Sequence, residues 1–331
     1  MKMKKLLCLS LSVLMVVSFA GCKKEAETLK FGLGVVTEVS ATNADADKNG
    51  QGKAVTDVAV VTVDAAGKIV ACELDNAQLT VAYTVDGKAV ANESFLTKYE
   101  LKEGYNMKGA SPIGKEWYEQ ADAFETVVCG KTLDEVKAFV AEGGKGTEDV
   151  INAGCTITIT GFVGAIEKAY NNAVASDVTA EHTLKLGADV EQSCTDATED
   201  KEGTNQLSTT FVALAVDADG KIVAASSDCV QVKFSFDVAG VSTFDATKEA
   251  KSKKELGTDY NMAAFGSDKN GDGIVKEWNE QAAIFDEACV GKTVAELTSL
   301  VGADGYPNAE LQAATCTMAI DSFVKAASKL K

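Results

Sequence analysis

The 331-residue sequence contains no arginine and a single histidine, His182. Without arginine there is no bidentate fork for buried carboxylates or phosphates, so any anionic ligand is left to lysines, helix N-termini or backbone amides. The formal charge is −17, from 49 acidic against 32 basic residues. That balance excludes the basic face a nucleic-acid binder needs to release counterions. One histidine supplies no general base for a serine or cysteine nucleophile, and no G-x-S-x-G, P-loop or H-E-x-x-H pattern is present. Binding rather than catalysis is the expected activity. Zinc is disfavoured by the lack of histidine and of any C-x-x-C pair.

Long apolar runs are also scarce. The only one lies at the N-terminus, from Leu6 to Phe19, after a lysine cluster and before Ala20, Gly21 and Cys22. It is too short to span a bilayer and ends in small residues, which predicts a secretory signal over residues 1–21. The Phe-Ala-Gly-Cys ending resembles a bacterial lipobox, and that resemblance implies acylation of Cys22, with residues 22–28 as a polar tether to the outer face of the cell membrane. Removal of Lys2, Lys4 and Lys5 with the signal takes the formal charge from −17 to −20.

What the sequence has in plenty is itself. The stretch KEWYEQADAFETVVCGKTLDEV from Lys115 returns as KEWNEQAAIFDEACVGKTVAEL from Lys276. Trp117 matches Trp278 and Thr156 matches Thr317, both 161 residues apart. Upstream, Leu29 with Leu184 and Tyr105 with Tyr260 are 155 apart, which places six extra residues between Tyr260 and Lys276, in the stretch that carries SDKNGDG. Units of this length exceed solenoid repeats and can each close a core. The expected organisation is a first repeat domain over 29–173, a linker over 174–183 and a second repeat domain over 184–331.

Within each unit the β-branched runs come first. TDVAVVTVDAAGKIVACELD and TTFVALAVDADGKIVAASSD read as strand, tight turn, strand. The second half of each unit carries Trp, Ala and Phe at helical spacing, then a threonine N-cap ahead of acidic first-turn residues. Strands before helices predict an α+β fold: two tandem homologous domains, each an antiparallel sheet followed by packing helices. The repeated aromatics Tyr105, Trp117 and Phe124, with Tyr260, Trp278 and Phe285, serve either as core or as a stacking platform for a planar ligand. Apart from Cys8 and Cys22, seven cysteines remain. Pairs 129–155, 289–316 and 194–229 are one expectation for an exported chain; buried apolar thiols are the other.

The entry to the last helix of each unit reads AGCTITITGFVGAIEKA from Ala153 and ATCTMAIDSFVKAASKL from Ala314. It resembles the C-terminal motif of the FMN-binding domain family, in which a threonine precedes, by nine and ten positions, an alanine and an aliphatic residue of the following helix. Thr156 with Ala165 and Ile166, and Thr317 with Ala326 and Ala327, fit that spacing. The resemblance implies FMN held at Thr156 and Thr317 with Gly154 and Asp149 nearby, attachment by a flavin transferase, and electron transfer to a redox partner outside the cell. The family's Ser-Gly-Ala-Thr becomes Ala-Gly-Cys-Thr and Ala-Thr-Cys-Thr here, and Asp149 stands one residue early. A calcium-loop beginning, Asp268, Asn270 and Asp272 before Gly273, lies in the insertion, and Asp45, Asp47 and Asn49 spell a similar one; both lack the terminal glutamate. Two functions stay open: an FMN-dependent extracellular electron carrier, or a non-redox cell-surface ligand-binding or interaction module of the same fold.

Overall fold

The computed structural model describes residues 27–265 and 275–331. The signal segment, Cys22, and the calcium-like residues Asp268, Asn270 and Asp272 lie outside them.

The first half begins with a meander of three long strands, β1 (Lys30–Thr42), β2 (Gly50–Val63) and β3 (Ile69–Tyr83), followed by a short β4 (Ala89–Val90). Five helices follow: α1 (Lys98–Leu101), α2 (Trp117–Val128), α3 (Leu133–Lys137), α4 (Glu148–Ala153) and α5 (Thr160–Asn172). Next comes β5 (Val174–Ala175), which pairs antiparallel with the start of β1, so the expected linker begins as an edge strand of the first sheet. The second half repeats the order with β6 (Thr183–Thr195), β7 (Gly203–Val216), β8 (Ile222–Phe236), α6 (Lys253–Leu256), α7 (Met262–Phe265), α8 (Trp278–Cys289), α9 (Ala309–Ala313) and α10 (Asp321–Ser328). The result is α+β, with a five-stranded antiparallel sheet ordered β4-β3-β2-β1-β5 and a three-stranded one ordered β6-β7-β8.

The long strands of the two halves start 153 residues apart: Lys30 and Thr183, Gly50 and Gly203, Ile69 and Ile222. The expected pairing of Leu29 with Leu184 is thereby corrected to Phe31 with Leu184. The two-residue difference from the 155-residue spacing at Tyr105 and Tyr260 falls between β3 and α1. The match of the GKT segments also has a limit, because Thr132 caps the α-helix α3 whereas Thr293 opens a 3-10 helix, Val294–Leu300.

The two sheets lie face to face, and this explains why the strands are apolar without alternation. In β2, Val58 and Val60 point at the second sheet and pack with Leu186, Leu207, Phe211 and Val232. Ala59, Val61 and Val63 point the other way, against Trp117, Phe124, Phe162 and Ile166 of the helices. β7 does the same, with Phe211 and Ala213 inward and Val212 and Leu214 outward against Trp278, Phe285 and Phe323. Successive strand residues face opposite sides, so a strand covered on both sides reads as one continuous run. The architecture is four layers, helices–sheet–sheet–helices, and the halves share a core where the sequence suggested two separate ones. Tyr83 and Phe236 close one end of the sandwich as stacked rings 4.4 Å apart. The helices seat on glycines: a Cβ at Gly34 would lie 2.2 Å from the Ala169 amide nitrogen, and one at Gly187 2.1 Å from the Ala326 carbonyl.

Candidate functional site

Each Trp-bearing helix begins with a glutamate capping box, Glu116 with Glu119 and Glu277 with Glu280. The cap fixes a glutamine one turn in. Gln120 is fully buried; its Oε1 accepts from the Thr156 amide (2.8 Å) and hydroxyl (2.9 Å), and its Nε2 donates to the Lys115 carbonyl (3.2 Å). Gln281 Oε1 accepts from the amides of Thr317 (2.7 Å) and Met318 (2.9 Å), with the Thr317 hydroxyl at 3.4 Å. The glutamine ties the Cys-Thr segment to the Trp helix in both halves. Its only signal in the sequence is a glutamine at the same place, 120 and 281, on the otherwise apolar face of both Trp helices.

The other flavin-motif residues serve the backbone. Gly154 ends α4 in a left-handed turn at φ 104°, and Asp149 stands exposed in that helix's first turn. Thr315 takes the same turn in the second half at φ 69°, a costly conformation for a β-branched residue. The turn is thus required whether or not a glycine occupies it. Thr156 has its hydroxyl committed to Gln120 and its carbonyl to Lys145 Nζ at 2.9 Å, an arrangement that does not fit attachment of a phosphate. Thr317, more weakly engaged, fits better.

Thr317 faces a cavity of about 370 Å³ between α10, the sheet face of β7–β8 and the start of α8, within the range of small-molecule sites. Its apolar walls are Met262, Trp278, Met318 and Phe323; its polar groups include Lys253, Thr210 and Ser322, with Cys229 in the lining and Glu191 and Asp321 toward the outside. Lys253 lies 4.8 Å from the Tyr260 ring centre and 5.4 Å from that of Trp278. Its place is set by buried Asp228, whose carboxylate accepts the amides of Cys229 (2.8 Å) and Lys254 (3.1 Å) at the N-terminus of α6. The aromatic positions read from the sequence therefore act as both core and wall.

The first half builds the same frame around different residues. Lys98 lies 5.1 Å from the Tyr105 ring and 5.5 Å from that of Trp117, and Asp75 accepts the Asn76 and Tyr99 amides as Asp228 does in the second half. Where the second half has Thr210, Cys229 and Ser322, the first has Asp57, Asn76 and Gly161. Asn76 Nδ2 donates to Asp57 Oδ1 at 2.7 Å, and a Cβ on Gly161 would fall 1.9 Å from Asp57 Oδ2. Burial pushes the Asp57 carboxyl up to about 6, against the Asn76 hydrogen bond and the Lys98 charge, which favour ionisation. Burial also lowers Lys98. At the outer rim of the second-half cavity, Lys325 bridges Asp321 (2.8 Å) and Glu191 (3.8 Å); burial and then Asp321 raise Glu191 above the usual carboxylate range.

Residues that sequence reading grouped for other chemistry are not brought together. All seven cysteines among the described residues are free, Cys72, Cys155, Cys229, Cys289 and Cys316 buried and Cys129 and Cys194 exposed, so the expected pairs 129–155, 289–316 and 194–229 do not form. The burial of the first five matches the alternative reading of apolar thiols. His182 Nδ1 accepts the Thr179 amide at 2.9 Å, which ties it into the connector. Asp45 Oδ1 accepts the Asp47 amide at 2.9 Å, and no group of three or more metal-ligating His, Cys, Asp or Glu side chains occurs among the described residues. No helix among them is long and apolar enough to cross a membrane. Compared with known protein families, with curated proteins and with solved structures, the chain matches none.

Proposed function

We propose that this chain is a small-molecule-binding protein whose second half holds the ligand while its first half is a filled version of the same site. The observation that carries the reading is the exchange of Asp57, Asn76 and Gly161 for Thr210, Cys229 and Ser322 inside a shared lysine–tyrosine–tryptophan frame. The second set lines a cavity; in the first, the Asp57 carboxylate lies over Gly161 and accepts from Asn76. The same correspondence, together with strands of 13, 14 and 15 residues in each half, supports descent of units 29–173 and 184–331 from a duplicated domain. The lipobox-like ending supports export, acylation at Cys22 and retention at the outer face of a bacterial membrane. Binding without catalysis suits a cavity lined with hydroxyls and aromatic rings and no histidine.

A second reading, an FMN-dependent electron carrier, is favoured by one observation: Thr317 lines the cavity alongside Trp278 and Tyr260. Bound there, FMN would supply electron transfer, with Trp278 bounding its ring and Thr317 its phosphate end. The two readings separate on native protein purified from its own membrane. Native mass spectrometry should show one small molecule per chain, released on denaturation and lost from Ala319→Trp, which blocks the cavity from an exposed lining position. A flavin absorption band that vanishes with Thr317→Val would establish the carrier instead. Neither a bound mass nor a flavin band, in protein co-expressed with a flavin transferase, would refute both.

A further inference from the structure

The three exchanged positions also specify what kind of molecule fits. In the first half the Asp57 carboxylate lies over Gly161, with Asn76 donating to it and Lys98 nearby. In the second half that carboxylate, its Asn76 donor and its glycine platform are replaced by Thr210, Cys229 and Ser322, while the lysine, tyrosine and tryptophan remain. Lys253 keeps its place against Tyr260 and Trp278, and among the described residues it forms no ion pair. Thr210 and Ser322, whose hydroxyls lie 3.3 Å apart, stand where the carboxylate and its glycine platform were. Thr210 donates to Ser322, which leaves the Ser322 hydroxyl and Lys253 as the donors facing the apolar-walled cavity without an anion, and charged hydrogen bonds in such a place are the strong ones. The outer rim has the opposite sign. Glu191 and Asp321 share the single charge of Lys325, which leaves one negative charge uncompensated by that lysine. Between the two ends run the apolar walls of Met262, Trp278, Met318 and Phe323.

We propose that the cavity binds a free amino acid with an apolar side chain, its carboxylate seated at Lys253, Thr210 and Ser322 in the place that the Asp57 side chain fills in the first half, and its ammonium group toward Glu191 and Asp321. The proposal rests on the cavity being a ligand site. The carboxylate end sets orientation, the acidic rim rejects dianions, and the walls set side-chain size.

The test is calorimetric titration of the full chain with L-phenylalanine and L-leucine, alongside 3-phenylpropionate, which lacks the ammonium, and phenethylamine, which lacks the carboxylate. At least one amino acid is expected to bind at one site per chain, and deletion of either charged end to weaken binding about tenfold or more, as loss of a charged hydrogen bond does. Thr210→Asp with Ser322→Gly restores the first-half carboxylate and its glycine platform and should abolish that binding, with the protein still folded by circular dichroism. Asp57→Asn, in the other half, should leave it unchanged. Equal affinity for phenethylamine or 3-phenylpropionate, or undiminished binding by the double variant, would overturn the proposal. Absence of amino-acid binding would also overturn it. In that case, a shift of the Trp278 indole N–H signal on adding indole keeps the cavity as a ligand site, and no shift removes that reading as well.

Discussion

Lys331 Nζ lies 2.6 Å from the Glu125 carboxylate and 3.0 Å from that of Glu73, although Lys331 follows the last helix of the second half and both acids belong to the first. Its side chain is 4% exposed. Burial works against its charge, but Glu125 and Glu73 hold its pKa well above the usual lysine value. The matching place in the second half is satisfied from within: Lys254 Nζ lies 3.1 Å from Asp286 and 3.3 Å from Ser226 Oγ. Position 99 of the first half, corresponding to Lys254, is a tyrosine, so the missing charge arrives from the other half.

Lys331→Met should therefore destabilise the protein by about 3 kcal/mol, because removing one partner leaves buried carboxylates uncompensated. Urea unfolding at neutral pH measures it. Combining Lys331→Met with Glu125→Gln should recover part of the loss; additive losses would mean that the pair is not coupled.

The pH dependence has a definite sign. Burial raises Asp57 and Asp75 to about 6 from an ordinary value near 4. The folded chain thus holds more protons than the unfolded chain between about pH 4 and 6, and the contribution of these groups to stability falls as pH rises through that window. Relative to Asp57→Asn, the wild type should gain up to about 3 kcal/mol as pH drops from 7 to 4. A constant difference between the two proteins across that range would show Asp57 to be an ordinary carboxylate.

Gln281→Leu removes the acceptor for the Thr317 and Met318 amides together, and should cost about 2–4 kcal/mol in denaturant unfolding. Gln281→Glu, which keeps an acceptor but adds charge, should lose less at pH 5 than at pH 8.

Thiol labelling checks the cysteines. Among residues 27–331, Cys129 and Cys194 should react in the native protein and the remaining five only after denaturation, giving seven thiols without reductant. Burial raises Cys155 to about 11 and Cys316 to about 12, which suppresses their thiolates further. Fewer than seven thiols would mean that disulfides form.

The strands, the α+β order and the Trp helices were legible because β-branched runs, Asp-Gly turns and the spacing of Trp117, Ala121 and Phe124 are local signals. The sheet-on-sheet packing was not, because Val58 to Val63 read equally well as a strand under one layer or between two. The offset of Leu29 to Leu184 failed for a similar reason, since identity of a single leucine carries no register. The flavin motif drew attention to Thr156 and Thr317, yet their common partner is the glutamine at 120 and 281. The exchange of Asp57 for Thr210 lies in aligned strands, but no sequence pattern tells that Gly161 and Ser322, over 100 residues away, complete it.

The most direct measurement follows the two indole N–H signals, assigned by Trp117→Phe and Trp278→Phe, as the protein is titrated with L-phenylalanine, L-leucine and neutral indole. If the second half holds the ligand and the first is filled by Asp57, the Trp278 signal moves to saturation with at least one of them while that of Trp117 stays in place. Equal movement of both signals, or none in either with any of the three, would contradict it.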